Sequence, residues 1–227
     1  AWGLLQFNGD PRPSYAAYQT IAHYLPETFE WSVRKFGNEF ADDKANGPVN
    51  RITFYNTPLG RVSVLFNISS APQDYVFTGI LPNATFVHPD GTTETRSPDG
   101  DGNHVLQFTP ALHFRWGKPE CQVASRPVII VEADTQAPAV ALQTLPVTVT
   151  GALTLTWTST DTVAGSGVWW HEVQYQKDNS AWEMLNSEVT GMTLTVALPG
   201  PGVYAFRVRA RDRAGNVPEW STLPAVT

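Results

Sequence analysis

The chain has 227 residues, 42% of them hydrophobic and 11% aromatic, which is enough apolar material for a packed core and, by length, for two domains. Its net charge of −6 gives no electrostatic reason to expect binding to nucleic acid or to an anionic membrane. A single cysteine, Cys121, excludes an internal disulfide framework, and no apolar run approaches the roughly 18 residues that a membrane span needs.

The start of the sequence predicts one helix. Ser14 follows Pro13 and can cap the first turn, because its hydroxyl accepts hydrogen bonds from free backbone amides. Apolar residues then recur at spacings of three and four until Pro26 ends the pattern. The resulting stripe consists of Tyr15, Tyr18, Ile21, Ala22 and Leu25. We expect this stripe to be buried against a neighbouring element.

A pattern of period two follows the helix and continues to Glu132, and it indicates short strands. The turns between them contain Asp-Gly and Pro-Asp, which favour tight reversals. The predicted strands cover 51–57, 60–67, 74–80, 84–93, 103–110 and 126–133. Short strands with a turn about every ten residues predict an antiparallel β-sandwich over 26–134.

The polar, Pro-containing segment 132–142 is typical of a domain boundary. Alternation is very regular after Pro138, with a Trp on an early strand and a Tyr on a late one, which fits an immunoglobulin-like sandwich over 135–227. The sequence therefore predicts a mainly β chain. We expect two antiparallel β-sandwich domains in tandem, preceded by one N-terminal α-helix within residues 1–25.

The last part of the chain resembles fibronectin type III-like repeats. The resemblance is carried by "GSGVWWHEVQYQ" (165–176), "AWEML" (181–185) and "GVYAFRVRARDRAGNVPEW" (202–220). One departure is His171, because such repeats usually have an aromatic residue at that position. The resemblance implies a fold rather than an activity, since these repeats are commonly spacers in bacterial extracellular enzymes and surface proteins.

The first 25 residues, "AWGLLQFNGDPRPSYAAYQTIAHYL", resemble the end of a (β/α)₈-barrel glycoside hydrolase, where the last barrel strand leads into the final helix. The segment begins without an initiator Met or a signal peptide, so we expect the chain to be part of a longer polypeptide. The resemblance implies an upstream catalytic domain as partner and a secreted or cell-surface location. It carries over no catalytic residue, because the segment around Trp2 contains no acid.

No cofactor is expected, and the five histidines lack the spacing of a metal site. Asp161, Asp212 and Asn216 lie in predicted loops of the last domain and could gather near one end of it as calcium ligands. The phrase "DRAGN" is better explained by Asp and Asn side chains bonding nearby backbone amides in a turn.

Two tryptophans are candidates for a sugar-binding platform, since flat rings stack on the apolar faces of sugars. Alternation places Trp169 in the core and leaves Trp170 exposed, and Trp116 lies in a predicted loop. For Trp170, an interface between domains or a partly covered surface is a better explanation than a sugar site. Arg207, Arg209 and Arg211 form an outward row, which ion pairs with a neighbouring strand explain more simply than nucleic acid does.

These observations predict a non-catalytic accessory or spacer region of a glycoside hydrolase, with no catalytic residue in this chain. Two alternatives stay open. One is a carbohydrate-binding module that uses Trp170 or Trp116 to bind a polysaccharide. The other is a cell-surface adhesion or interaction module without an enzyme.

Overall fold

A computed structural model describes residues 13–25, 48–113, 122–123, 125–146, 148 and 151–223. These residues are mainly β, and every strand pair among them is antiparallel, which confirms the predicted fold class. The chain divides into two compact units, Ala1–Thr135 and Gln136–Thr227.

The first unit contains one described helix and nine strands. They are α1 (Pro13–Tyr24), β1 (Val49–Thr57), β2 (Gly60–Asn67), β3 (Gln73–Thr78), β4 (Ala84–Val87), β5 (Thr93–Arg96), β6 (Asn103–Phe108), β7 (Leu112–His113), β8 (Gln122–Val123) and β9 (Val128–Glu132). With 12 residues, α1 is well short of a bilayer span, and no other described segment forms a helix that could cross one.

A five-stranded sheet with the order β1-β2-β9-β4-β5 forms the body of the first unit. Its central strand β9 is almost entirely apolar, as expected for a strand that is covered on both faces. One face packs with the β3–β6 pair around a core of aromatic and aliphatic residues, which makes a β-sandwich. The core residues are Val49, Leu65, Phe77, Ala84, Phe86, Leu106, Phe108 and Ile130.

The other face of this sheet receives the end of α1, where Tyr24 and Leu25 pack on a second apolar cluster. The covered helix face also contains Thr20, which is buried and donates its hydroxyl to Ala16 O at 2.9 Å. The expectation that the whole tyrosine stripe is buried is wrong, because Tyr18 is 58% exposed. The sheet covers the side of the helix around Thr20 and Tyr24, and that side is turned away from Tyr18.

Gly60 begins β2 at a position that only glycine fits. Its φ is +95°, in the left-handed region that other residues avoid. A Cβ there would overlap the backbone oxygen of Glu132 and lie 2.7 Å from the backbone nitrogen of Asp134. The hairpin between β1 and β2 can therefore approach the end of β9 closely.

Seven strands lie in the described residues of the second unit. They are β10 (Ala139–Leu142), β11 (Ala152–Thr160), β12 (Val168–Lys177), β13 (Glu183–Val189), β14 (Thr193–Ala197), β15 (Tyr204–Asp212) and β16 (Ser221–Thr222). They form a three-stranded sheet, β10-β11-β14, and a four-stranded sheet, β13-β12-β15-β16. In constant-type immunoglobulin domains the fourth strand joins the sheet of the first two, whereas here β13 pairs with β12.

The core of the second unit is supplied by residues that alternate along β11, β12 and β15. Trp157, Phe206 and Val208 are almost completely buried there. Tyr204, at the start of β15, is 1% exposed and donates its hydroxyl to Gly200 O at 2.7 Å. This is the tyrosine corner of Greek-key sandwiches, in which a buried ring fixes the loop that precedes its strand.

The tyrosine corner predicts that Tyr204→Phe lowers the free energy of unfolding by about 1 kcal/mol, because Gly200 O loses a buried donor. The matched control is Tyr175→Phe, whose hydroxyl bonds Glu183 at an exposed position and is expected to contribute less than about 0.5 kcal/mol. Urea denaturation of both variants measures the difference. Equal losses of unfolding free energy in the two variants would contradict the tyrosine corner.

Candidate functional site

The outer face of the four-stranded sheet brings together the polar side chains of β12 and β15. Register pairs Glu172 with Arg209 and Gln174 with Arg207. Arg209 Nε donates to Glu172 Oε2 at 2.6 Å, while Arg207 donates two hydrogen bonds, of 2.9 and 2.6 Å, to Gln174 Oε1. The predicted cross-strand ion pair is therefore confirmed for Arg209, whereas Arg207 pairs across the strands with a neutral amide.

Two tryptophans from outside these strands complete the face. The guanidinium carbon of Arg207 lies 4.3 Å from the ring centroid of Trp182 and 4.4 Å from that of Trp220. Arg209 lies 4.4 Å from the same Trp220 ring. We call these four residues the tryptophan–arginine stack. At these distances each cation is attracted by the negative face of an indole ring.

Arg207 differs from Arg209 in its charge balance. Arg209 has a carboxylate partner, Glu172, but the hydrogen-bond acceptor of Arg207 is the neutral amide of Gln174. Partial burial and the neighbouring charge of Arg209 lower the pKa of Arg207 from its usual value, although a guanidinium stays protonated at neutral pH. The stack can therefore attract an anion while offering flat apolar rings.

Sequence reasoning missed both tryptophans of the stack. Trp182 lies just before β13 and Trp220 just before β16, the two strands that flank β12 and β15. The available signal was an isolated Trp beside each outer strand, next to a row of arginines at two-residue spacing. Stacking between Arg and Trp is a common outcome of that combination.

The prediction that Trp170 is exposed is wrong, because it is only 6% exposed. Its register partner is Arg211, so its strand position is outward as expected, but Trp169 is an extra residue in a β-bulge between Val168 and Trp170. The bulge takes Trp169 out of alternation, and its ring lies 4.2 Å from the Trp170 ring, centroid to centroid. Trp169 is consequently partly exposed and Trp170 is covered. Trp116 lies outside the described residues.

The calcium candidates of the second unit are brought together. Carboxylate oxygens of Asp161 and Asp212 lie within 4.8 Å of each other. Both are also used in local turns: Asp161 accepts from the backbone amides of Thr162 and Gly167 at 2.8 and 2.7 Å. Asp212 accepts from Asn216 N and Nδ2, both at 2.8 Å. Turn formation therefore accounts for these bonds, as the sequence suggested.

His171 takes the core position at which fibronectin type III-like repeats carry an aromatic ring. It is 2% exposed, its Nδ1–H donates to Val189 O at 3.0 Å, and its Nε2 accepts from Ser159 Oγ at 2.7 Å. Burial lowers its pKa below the usual value, against the raising effect of the backbone hydrogen bonds. The ring is therefore a neutral core element, not a ligand for a metal.

In the first unit, the buried carboxylate of Glu132 forms an ion pair with Arg61. Glu132 Oε1 also accepts from the backbone amide of Ile80 at 2.6 Å. Such a pair is structural, because removing either partner would leave a buried charge uncompensated. An open cavity of about 360 Å³ lies elsewhere in this unit and is lined by Ala16, Ala17, His88, Pro89, Asp90, Arg126, Pro127 and Val128.

The turn role of Asp161 predicts that Asp161→Ala lowers the free energy of unfolding by about 1 kcal/mol, since two backbone amides lose their acceptor. The loss of unfolding free energy should be the same in about 1 mM calcium chloride as in a calcium chelator. Thermal unfolding under both conditions is the measurement. A loss that occurs only with calcium would instead assign the two carboxylates to a cation.

The lowered pKa of His171 predicts a pH-dependent stability. Because the folded pKa lies below the unfolded value of about 6.5, the contribution is complete above that pH and is lost as pH falls toward the folded pKa. His171→Gln should reduce the loss of unfolding free energy between pH 7.5 and 5, measured by urea denaturation. A residual slope is expected from His104, whose pKa burial also lowers. If the change of unfolding free energy with pH were the same in the His171→Gln variant, His171 would not be the group responsible.

Comparison with known proteins finds weak structural similarities. Fibronectin(III)-like modules of Clostridium thermocellum CbhA share 11% identity over 70% of this chain and 85% of theirs, with a TM-score of 0.38. A β-1,2-glucanase from Parabacteroides distasonis shares 14% identity over 78% of this chain and 32% of its own, with a TM-score of 0.29.

A third similar structure is a bacterial orthologue of human α-L-iduronidase, with 11% identity over 78% of this chain and 38% of its own, and a TM-score of 0.34. This chain therefore corresponds to about a third of the length of each of these two enzymes. No protein-family model and no sequence of a curated protein matches it. Similarity at this level assigns neither a family nor a function.

Proposed function

We propose that this chain is a non-catalytic accessory region of a larger secreted or cell-surface glycoside hydrolase, in which it positions or stabilises an upstream (β/α)₈ barrel. The proposal starts from the likeness of residues 1–25 to the end of such a barrel and of the last unit to fibronectin type III-like repeats. The tyrosine corner and the pairing of β13 with β12 are compatible with the second likeness.

The observation that carries the proposal is the pair of apolar faces on α1. Tyr24 and Leu25 pack on the sandwich, so this part of the helix belongs to the first unit. Tyr18 and Ile21 are 58% and 43% exposed on another face of the same helix. An aromatic and an aliphatic side chain one turn apart suit contact with a second protein body. A helix shared by a barrel and a sandwich would have both faces covered.

The acidic residues support a non-catalytic role. A glycosidase needs two carboxylates facing each other across a site that admits sugar. Asp161 and Asp212 are close enough, but Asp212 is completely buried and both of its oxygens accept from Asn216. Glu132 is equally buried in its ion pair with Arg61. Neither arrangement leaves an acid free to protonate a glycosidic oxygen.

The first test compares this chain with the longer polypeptide on a panel of aryl glycosides and polysaccharides. We expect turnover from the longer polypeptide and none from this chain. In the longer polypeptide, Tyr18→Ser should lower the melting temperature of the barrel, because it removes apolar contact from the shared helix. In this chain alone the same substitution should change stability by less than about 0.5 kcal/mol.

The matched control is Gln19→Ser, which changes an exposed polar residue of the same helix and should leave both melting temperatures unchanged. The non-catalytic role would be contradicted if glycoside-hydrolysing activity stayed with this chain through several chromatography columns. An unchanged barrel melting temperature in the Tyr18→Ser protein would contradict the shared helix.

A further inference from the structure

The tryptophan–arginine stack has polar groups left over for a ligand. Within the described part of the chain, Arg207 forms no ion pair, and its hydrogen-bond acceptor is the uncharged Gln174. The indole N–H groups of Trp182 and Trp220 have no hydrogen-bond partner among the described residues. Unlike the N–H of Trp157, they are not buried. One cation and two donors therefore remain available within the stack.

The geometry of the stack also restricts what can bind. The order Trp182, Arg207, Trp220, Arg209 alternates rings with guanidinium groups, each 4.3–4.4 Å from the next, which makes one continuous row. Gln174 holds the Arg207 guanidinium through two hydrogen bonds and Glu172 holds that of Arg209, so the row is ordered before a ligand arrives. A pre-ordered, partly apolar row suits an extended ligand with flat apolar patches.

Charge identifies the ligand class more closely. The stack contains one arginine without an ion pair, Arg207, and the chain has a net charge of −6, so the stack cannot make the many phosphate contacts of nucleic acid binding. A single carboxylate per sugar, however, matches the single available guanidinium of the stack, and charge-assisted hydrogen bonds of this kind are strong. Sugar hydroxyls can accept from the two indole N–H groups, and the apolar faces of sugar rings can pack on the indoles.

We propose that the tryptophan–arginine stack binds a carboxylated polysaccharide, with Arg207 contacting a carboxylate and with Trp182 and Trp220 contacting sugar rings. This binding does not require an upstream catalytic domain. It differs from the site expected from the sequence, because the rings belong to residues that flank the four-stranded sheet rather than to Trp170.

Affinity electrophoresis of the whole chain in gels containing polygalacturonate, alginate or hyaluronan tests the proposal, with hydroxyethyl cellulose and galactomannan as neutral gels. We expect retardation in at least one acidic gel and in neither neutral gel. Arg207→Gln and Trp182→Ala should each weaken binding about tenfold, the scale of one charge-assisted hydrogen bond or one lost ring contact. Arg213→Gln removes the same charge from an exposed turn outside the stack and should change binding less than about twofold.

Because the stack also packs the sheet, circular dichroism and melting of each variant accompany the gels. If Trp182→Ala unfolds, Trp182→Phe and Arg207→Lys take its place, and both should bind more weakly than the original chain. Three results would overturn the proposal: no retardation by any acidic polymer, equal retardation by neutral polymers, or equal weakening by Arg213→Gln. None of these bears on whether the chain belongs to a hydrolase.

Discussion

Strict alternation along β15 is the constraint on which the second unit depends. Its nine residues are alternately buried and partly exposed without interruption. Inward residues such as Phe206 and Val208 form the core, and the corner of Tyr204 fixes where the alternation begins. The same phase turns Arg207 and Arg209 outward. A shift of one residue would put charges into the core, so core packing and the outer face are specified together.

The first unit differs from the second in that its five-stranded sheet is covered on both faces. One face is buried by the β3–β6 pair and the other receives the end of α1. The apolar strand β9 fits this position, and the ion pair of Glu132 with Arg61 lies at its end. The helix is therefore part of the packing of the sandwich and also carries Tyr18 into solvent, and this double role connects the fold to the proposed function.

The sequence predicted the elements better than their surroundings. Alternation located β12 and β15, because the period is local to each strand. It could not reveal the bulge at Trp169, since any residue near a strand end can be the extra one, and this reversed the burial expected for Trp170. The helix pattern likewise showed an apolar stripe but not which side the sheet would cover. The stack was missed because it depends on which strands become neighbours, which spacing along the chain does not reveal.

The position of Trp220 has a mechanical consequence. Among the residues described up to Leu223, β16 has two in register with β15, opposite Arg207 and Val208, and Leu223 N donates to Phe206 O. Tension applied to the chain at Leu223 would load these hydrogen bonds one after another rather than all together. The next large side chain along the chain is Trp220, whose ring centroid lies 4.4 Å from the guanidinium carbons of both Arg207 and Arg209. Separation of β16 from β15 would therefore be followed by a second step, in which the Trp220 ring leaves the two arginines.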